Sequence, residues 1–190
     1  MNRQNLEARL DAEFPGLVEM PPEFRGETTL IVRDCARLPE VLRFLRRECA
    51  FDYLVDISSV DHLGEVPRFE LVYELYSYGG SRYLRVKSRV PENPAEAPTA
   101  CEIWPTANWH EREIYDMMGI RFVGHPDLRR ILMWDGYPHH PLRKDFPLEG
   151  LPVELPDGHF ANAAPMEGGP YVTQPADLAH DREPRSKSPR

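Results

Sequence analysis

Leu6, Leu10 and Phe14 recur at helical spacing, and Pro15-Gly16 ends the run, which predicts a first helix over residues 2–14. Residues 27–33 (ETTLIVR) are β-rich and read as a strand. Leu38, Val41, Leu42 and Leu45 then form one apolar stripe. Arg43, Arg46 and Arg47 turn away from it, and Pro39 suits a first helical turn. Phe51, Tyr53, Val55 and Ile57 alternate with Asp52, Asp56 and Ser58, the pattern of a half-buried strand facing inward through the odd positions. Strand, helix and strand in this order predict a β-α-β unit.

Residues 68–78 and 81–90 flank Gly79-Gly80, the signal of a two-residue hairpin turn. That turn sets Phe69 opposite Val90, Tyr73 opposite Val86 and Leu75 opposite Leu84 on the buried face. On the other face Glu74 meets Arg85 and Glu70 meets Arg89. A slip of one residue would ruin both faces at once, so the register is firm. Residues 91–98 read as a polar, proline-spaced loop. Asn108 followed by Glu111 reads as a helix start with Asn108 capping, and Gly119 as the stop. Residues 120–124 (IRFVG) read as a short strand, and residues 128–133 (LRRILM) as a further candidate strand. The sum is an α+β domain whose mixed or antiparallel sheet is covered by two or three helices.

Prolines set the expected boundary. Ten of the 20 fall in residues 1–133 and ten in residues 134–190. We therefore expect a core domain over 1–133 and an extended tail over 134–190. In that tail single apolar residues (Leu151, Val153, Leu155, Phe160, Met166, Tyr171 and Val172) are too scattered to bury a core of their own. Such a segment suits a strap that wraps a partner.

The net charge of −8 divides into −5 before residue 134 and −3 after it, so neither part offers the basic face of a nucleic-acid binder. No apolar run approaches the ~20 residues that span a bilayer, and the first residues lack a signal peptide's apolar segment. Cys35, Cys49 and Cys101 are widely spaced with no C-x-x-C pair, which argues against a disulfide framework. The same spacing argues against a zinc or iron–sulfur site with four ligands in one stretch.

His110, Glu111, Glu113, Asp116, His125 and Asp127 raise a metal or acid–base reading. The helical spacing opposes it, because Ile114 and not a histidine follows His110 four residues on. Carboxylates interleaved with arginine more often make ion-paired surfaces. His139-His140, set between prolines, read as exposed turn residues. Arg129-Arg130 and Arg143-Lys144-Asp145 read as interface groups able to pair with a partner's charges. No nucleotide-binding loop or hydrolase elbow occurs in the sequence.

The run Glu111-Arg112-Glu113, Asp116-Met117-Met118, His125, Arg129 and Ile131-Leu132 resembles the signature of the C, or 30 kDa, subunit family of respiratory NADH:quinone oxidoreductase (complex I). Residues 141–147 (PLRKDFP) are similar to that family's second hallmark. The resemblance implies a non-catalytic structural subunit of the peripheral arm, on the cytoplasmic side of the cell inner membrane, touching the membrane only through the complex. It implies neighbours in subunits D, B and I, with the tail wrapping D. It also implies that this chain holds no cofactor, while FMN and iron–sulfur clusters in the partners carry electrons from NADH to quinone. Glu111, Arg112, Glu113, His125, Arg129, Arg130, Arg143, Lys144 and Asp145 are the expected partner-interface residues. The rival readings are the equivalent subunit of a membrane-bound hydrogenase or other complex I-like oxidoreductase, a stand-alone metal-dependent enzyme built on His110, Glu111, Glu113 and His125, and a regulatory adaptor.

Overall fold

The computed structural model describes residues 3–151, and the tail anchors beyond Leu151 lie outside them. Helix α1 (Arg3–Glu13) buries Leu6 and Leu10, and Phe14 seals its end. Strand β1 (Val18–Glu19) pairs antiparallel with β2 (Thr29–Val32). A 3₁₀ turn, Cys35–Arg37, is capped by the Asp34 carboxylate on the Ala36 N–H and leads into α2 (Leu38–Glu48). In α2 the expected stripe of Leu38, Val41, Leu42 and Leu45 is buried, and Pro39 occupies the first turn.

Strands β3 (Tyr53–Asp61), β4 (Phe69–Ser77) and β5 (Arg82–Val90) complete a five-stranded sheet in the order β1-β2-β5-β4-β3. The β2–β5 pair is parallel and the other pairs are antiparallel, so of the two expected forms, mixed and antiparallel, the sheet is mixed. The β2-α2-β3 crossover spans two strands, and the β4–β5 hairpin fills the gap. Apolar residues of all three helices join the inner-face residues Leu30, Tyr73, Leu75, Leu84 and Val86 in one buried cluster. The hairpin has the expected register from Phe69–Val90 to Ser77–Arg82, closed by a loop of Tyr78 to Ser81. Its outer face is a charged ladder, with Lys87 on Glu70 at 2.9 Å, Arg85 between Glu74 and Glu27, and Arg89 on Glu65 at 2.7 Å.

Three local expectations give way. In β3 a register irregularity between Leu54 and Asp56 shifts the pairing. Leu54 therefore points inward with Ile57, while Tyr53 and Val55 are exposed at 44% and 40%. Within residues 91–98, Glu96–Pro98 forms a short strand, β6, paired in parallel with β7 (Arg121–Val123). Residues 128–133 are not a strand, because the N–H groups of Ile131, Leu132 and Met133 turn to a side chain instead of a neighbouring strand.

Helix α3 (Ala107–Met118) packs beside β3. It starts one residue before Asn108, without a side-chain cap, so Asn108 belongs to the first turn. Gly119 closes it as expected, at φ +74°, with its N–H on the Tyr115 carbonyl. The compact unit runs to Leu151, past the boundary expected at 133. Residues 134–151 bond back onto α3 and the sheet, and the prolines among them leave fewer N–H donors to satisfy. Among the described residues no helix is long and apolar enough to cross a membrane.

The bulge in β3 sets opposite costs for neighbouring apolar residues. Leu54→Ala removes a buried side chain and should lower stability by about 2–5 kcal/mol. Val55→Ala, at an exposed position, should change it by no more than about 0.5 kcal/mol. Urea unfolding of the two variants reads the difference, and equal costs would place Val55 in the core.

Candidate functional site

The charged stretch around α3 is built on three buried carboxyl groups. Asp116, wholly buried in the last turn, accepts the backbone N–H groups of Ile131, Leu132 and Met133 on Oδ2 at 3.0, 2.7 and 2.9 Å. Arg130 pairs with its Oδ1 and also reaches the carbonyls of Asp116, Tyr137 and His139. Burial pushes the Asp116 carboxyl up, but the three N–H groups and Arg130 outweigh it and hold the group below its ordinary range.

The C-terminal end of α3 gathers donors from the segment that follows. His140 lies on the Asp116 carbonyl at 3.0 Å, the Leu142 N–H on that of Met117 at 3.1 Å, and Arg143 on that of Met118 at 2.6 Å. Cations there complement the negative end of the helix dipole. Burial holds His140 below the ordinary imidazole value. Gly119 makes this approach possible, since a Cβ there would lie 2.5 Å from both His140 and Arg143. His139 and His140 are thus half-buried, not the exposed turn residues expected.

The second carboxyl is Asp61, at the end of β3, bound by both arms of the buried Arg68 at 2.9 and 2.8 Å. Arg68 also holds Glu92 at 2.6 Å and Asp145 at 3.1 Å, and the Lys144 N–H donates to Asp61 at 2.8 Å. Arg68 holds Asp61 and Asp145 below the usual carboxylate range. The sequence reading missed this cluster, whose Asp61 and Arg68 flank the connection between β3 and β4.

Glu111 is the third, fully buried in α3. It accepts the Ala100 N–H and the Thr99 hydroxyl, both at 2.6 Å, and the Cys101 thiol at 3.5 Å. Burial pushes Glu111 up, and burial likewise raises Cys101 to about 11. Glu111 therefore closes the 99–101 turn instead of completing a capping box.

The remaining expected interface residues divide by exposure. Arg112 is buried, with Nε on the Arg129 carbonyl at 3.2 Å and its guanidinium over Trp109. The His125 Nδ1 accepts the Asp127 N–H at 3.0 Å, and its Nε2 faces the Asn108 carbonyl at 3.2 Å. Arg129 is exposed and pairs with Asp127, and Glu113 and Lys144 are exposed too. His110 pairs with Asp56 at 3.0 Å, away from the Glu111 turn.

Asp116→Ala would leave three N–H groups and the Arg130 charge unpaired, so it should cost about 3–5 kcal/mol near pH 7. Asp116 is lowered in the folded state, so its contribution is present above the unfolded carboxyl value of about 4 and fades as pH falls through the folded one. Urea midpoints of wild type and variant should therefore converge in acid. A gap that does not depend on pH would mean that the charge contributes nothing.

Residues 31–152 match the model of the family described as respiratory-chain NADH dehydrogenase, 30 kDa subunit. The NADH-quinone oxidoreductase C subunit 2 of Rhizobium meliloti (strain 1021) is 50% identical over 151 residues, which cover 78% of each chain. Among solved structures, a trypsin-resistant fragment (1–134) of Nqo5 superposes with a TM-score of 0.59 at 30% identity, covering 67% of this chain and all of the fragment. A chain of the membrane-bound sulfane sulfur reductase, an archaeal respiratory membrane complex, superposes with a TM-score of 0.66 at 26% identity, covering 76% of this chain and 85% of its own. With more than half its length under the family model, and with the signature charges placed as above, the chain belongs to the family of the 30 kDa subunit of respiratory-chain NADH dehydrogenase.

Proposed function

We propose that the chain is the 30 kDa subunit of an NADH-quinone oxidoreductase, a structural part of its peripheral arm that performs no chemistry of its own. The complex passes electrons from NADH through FMN and iron–sulfur clusters, which other subunits carry, to quinone. The observation that carries this reading is the family match across residues 31–152, which takes in both hallmark stretches. The geometry supports it. Asp61, Asp116 and Arg130 hold backbone groups of residues 131–144, and Arg68 and Arg143 tie the same segment through Asp145 and the Met118 carbonyl, a use that builds a rigid surface. Exposed apolar side chains (Trp109, Leu132, Leu142 and Leu148) lie in the same stretch as the exposed charges of Glu113, Arg129 and Lys144. Apolar anchors with a charged rim are the makings of a permanent interface.

In this reading subunits D, B and I are the neighbours, on the cytoplasmic side of the cell inner membrane, and the tail beyond Leu151 wraps D. Glu113, Arg129, Lys144 and the exposed Asp145 meet the partners directly, while Glu111, Arg112, His125, Arg130 and Arg143 shape the surface from beneath. The likeness to the sulfane sulfur reductase chain supports a second reading, service in a related respiratory complex with another electron donor or acceptor.

A tagged chain recovered from detergent-solubilised membranes should bring flavin- and iron–sulfur-bearing partners and NADH:quinone activity, identified by mass spectrometry and assay. Sulfur-reducing or hydrogenase partners would select the second reading, and a chain recovered alone would refute both. The combined variant Glu113→Lys, Arg129→Glu and Lys144→Glu should lose most of the co-purifying partners. Its own stability should stay within about 0.5 kcal/mol for each exposed substitution.

A further inference from the structure

The three buried carboxyl groups are not treated alike. Asp61 faces Arg68 and Asp116 faces Arg130, so each has a cation against it. Glu111 is buried as deeply, but its partners among the described residues are an N–H, a hydroxyl and a thiol, with no lysine or arginine. A buried carboxylate without a cation is costly. The hydroxyl of Tyr73 is also buried, without a hydrogen-bond partner among the described residues, and near enough to Glu111 for the carboxyl to act on it. Two unmet needs therefore lie in one region.

Cys101 and His125 supply the other parts of an answer. One ligand atom each from Cys101, Glu111 and His125 lies within 4.8 Å of the others. The three residues come from the turn before α3, from α3 itself and from the turn after β7. The Cys101 sulfur is 3.5 Å from a Glu111 oxygen. Two ligands on a tetrahedral zinc ion, with Zn–S of about 2.3 Å and Zn–O of about 2.0 Å, stand about that far apart.

We propose that Cys101, Glu111 and His125 bind a divalent cation of the zinc class, with water in the fourth position, as a clamp on the first half of α3. A thiolate and a carboxylate together balance the ion's double charge, and the mixed sulfur, nitrogen and oxygen set suits a borderline-soft metal. Outer contacts are in place: Thr99 and Ala100 orient Glu111, and His125 binding through Nδ1 exchanges the Asp127 N–H for the ion while Nε2–H stays on the Asn108 carbonyl. Cys101 and His125 are only half-buried, which leaves the ion a way in. The spacing of cysteines hid this site, because its ligands come from three separated turns and not from one stretch. The proposal does not depend on membership of a respiratory complex.

The test uses the full chain, without a polyhistidine tag, stripped with a chelator and titrated with Co²⁺ and then Zn²⁺. One Co²⁺ per chain should bind with a thiolate-to-cobalt charge-transfer band and the strong visible bands of tetrahedral cobalt. Zn²⁺ should erase both and raise the thermal midpoint, and a chelator should reverse the rise. Cys101→Ser should remove the charge-transfer band, and His125→Ala should weaken binding at least tenfold, as losses of outer-shell partners alone already do. No binding by the wild type, or a wild-type cobalt spectrum without a thiolate band, would overturn the proposal whatever the variants do. Unchanged affinity in Cys101→Ser would overturn it too, and would assign the ion to other histidines.

Discussion

A chain segment that forms neither helix nor strand still has to find partners for its backbone, and in this protein the Asp116 carboxylate meets that need for three successive residues. The usual relation between helix and loop is reversed here. A side chain in the last turn of α3 does for residues 131–133 what a neighbouring strand would otherwise do. The same turn gives its carbonyls to Arg130, His140, Leu142 and Arg143, so the end of one helix organises most of the irregular structure after it.

Arg68 plays the matching part on the sheet. It gathers Asp61, Glu92 and Asp145, which come from the end of β3, the loop after β5 and the returning segment. Lys144, next to Asp145, adds its N–H to Asp61. One guanidinium with five donors can serve several acceptors at once, and a lysine ammonium could not reproduce that fork. The returning segment is thereby tied at two places, to α3 and to the sheet, and two ties fix its orientation as well as its position.

How much of this was legible varied with the range of the signal. The β4–β5 register could be read residue by residue, because a glycine pair, an apolar face and a charge ladder all required one pairing. The inward face of β3 was misread at its start, since Leu54 and Val55 are both apolar and alternation cannot show where an extra residue is inserted. Asn108 and Glu111 have the spacing of a cap, but Glu111 closes a turn that precedes the helix, a choice only tertiary packing makes. Proline density marked residues 134–151 as tail. Composition reports whether a segment can build its own core, and this one is held to its neighbour by hydrogen bonds and ion pairs instead. The charged residues around α3 were recognised, but Asp61 and Arg68 were not, and neither was the division into buried supports and exposed contacts, because charge in a sequence carries no depth.

The strand order has a consequence for synthesis. β2 and β3 run on either side of a gap that the later β4–β5 hairpin fills, so on a ribosome the first half of the chain emerges as a sheet without its middle. Until residue 90 is free, β2 can pair only with the two residues of β1, and the inward faces of α1 and α2 have little to cover. Sheets assembled from distant pairings form slowly and expose apolar surface while they wait. The hairpin, local and strongly patterned, is the piece that offers β2 and β3 its two edges. The residues that decide when this protein becomes compact are therefore those around Gly79-Gly80, far in sequence from the charged stretch that defines its family.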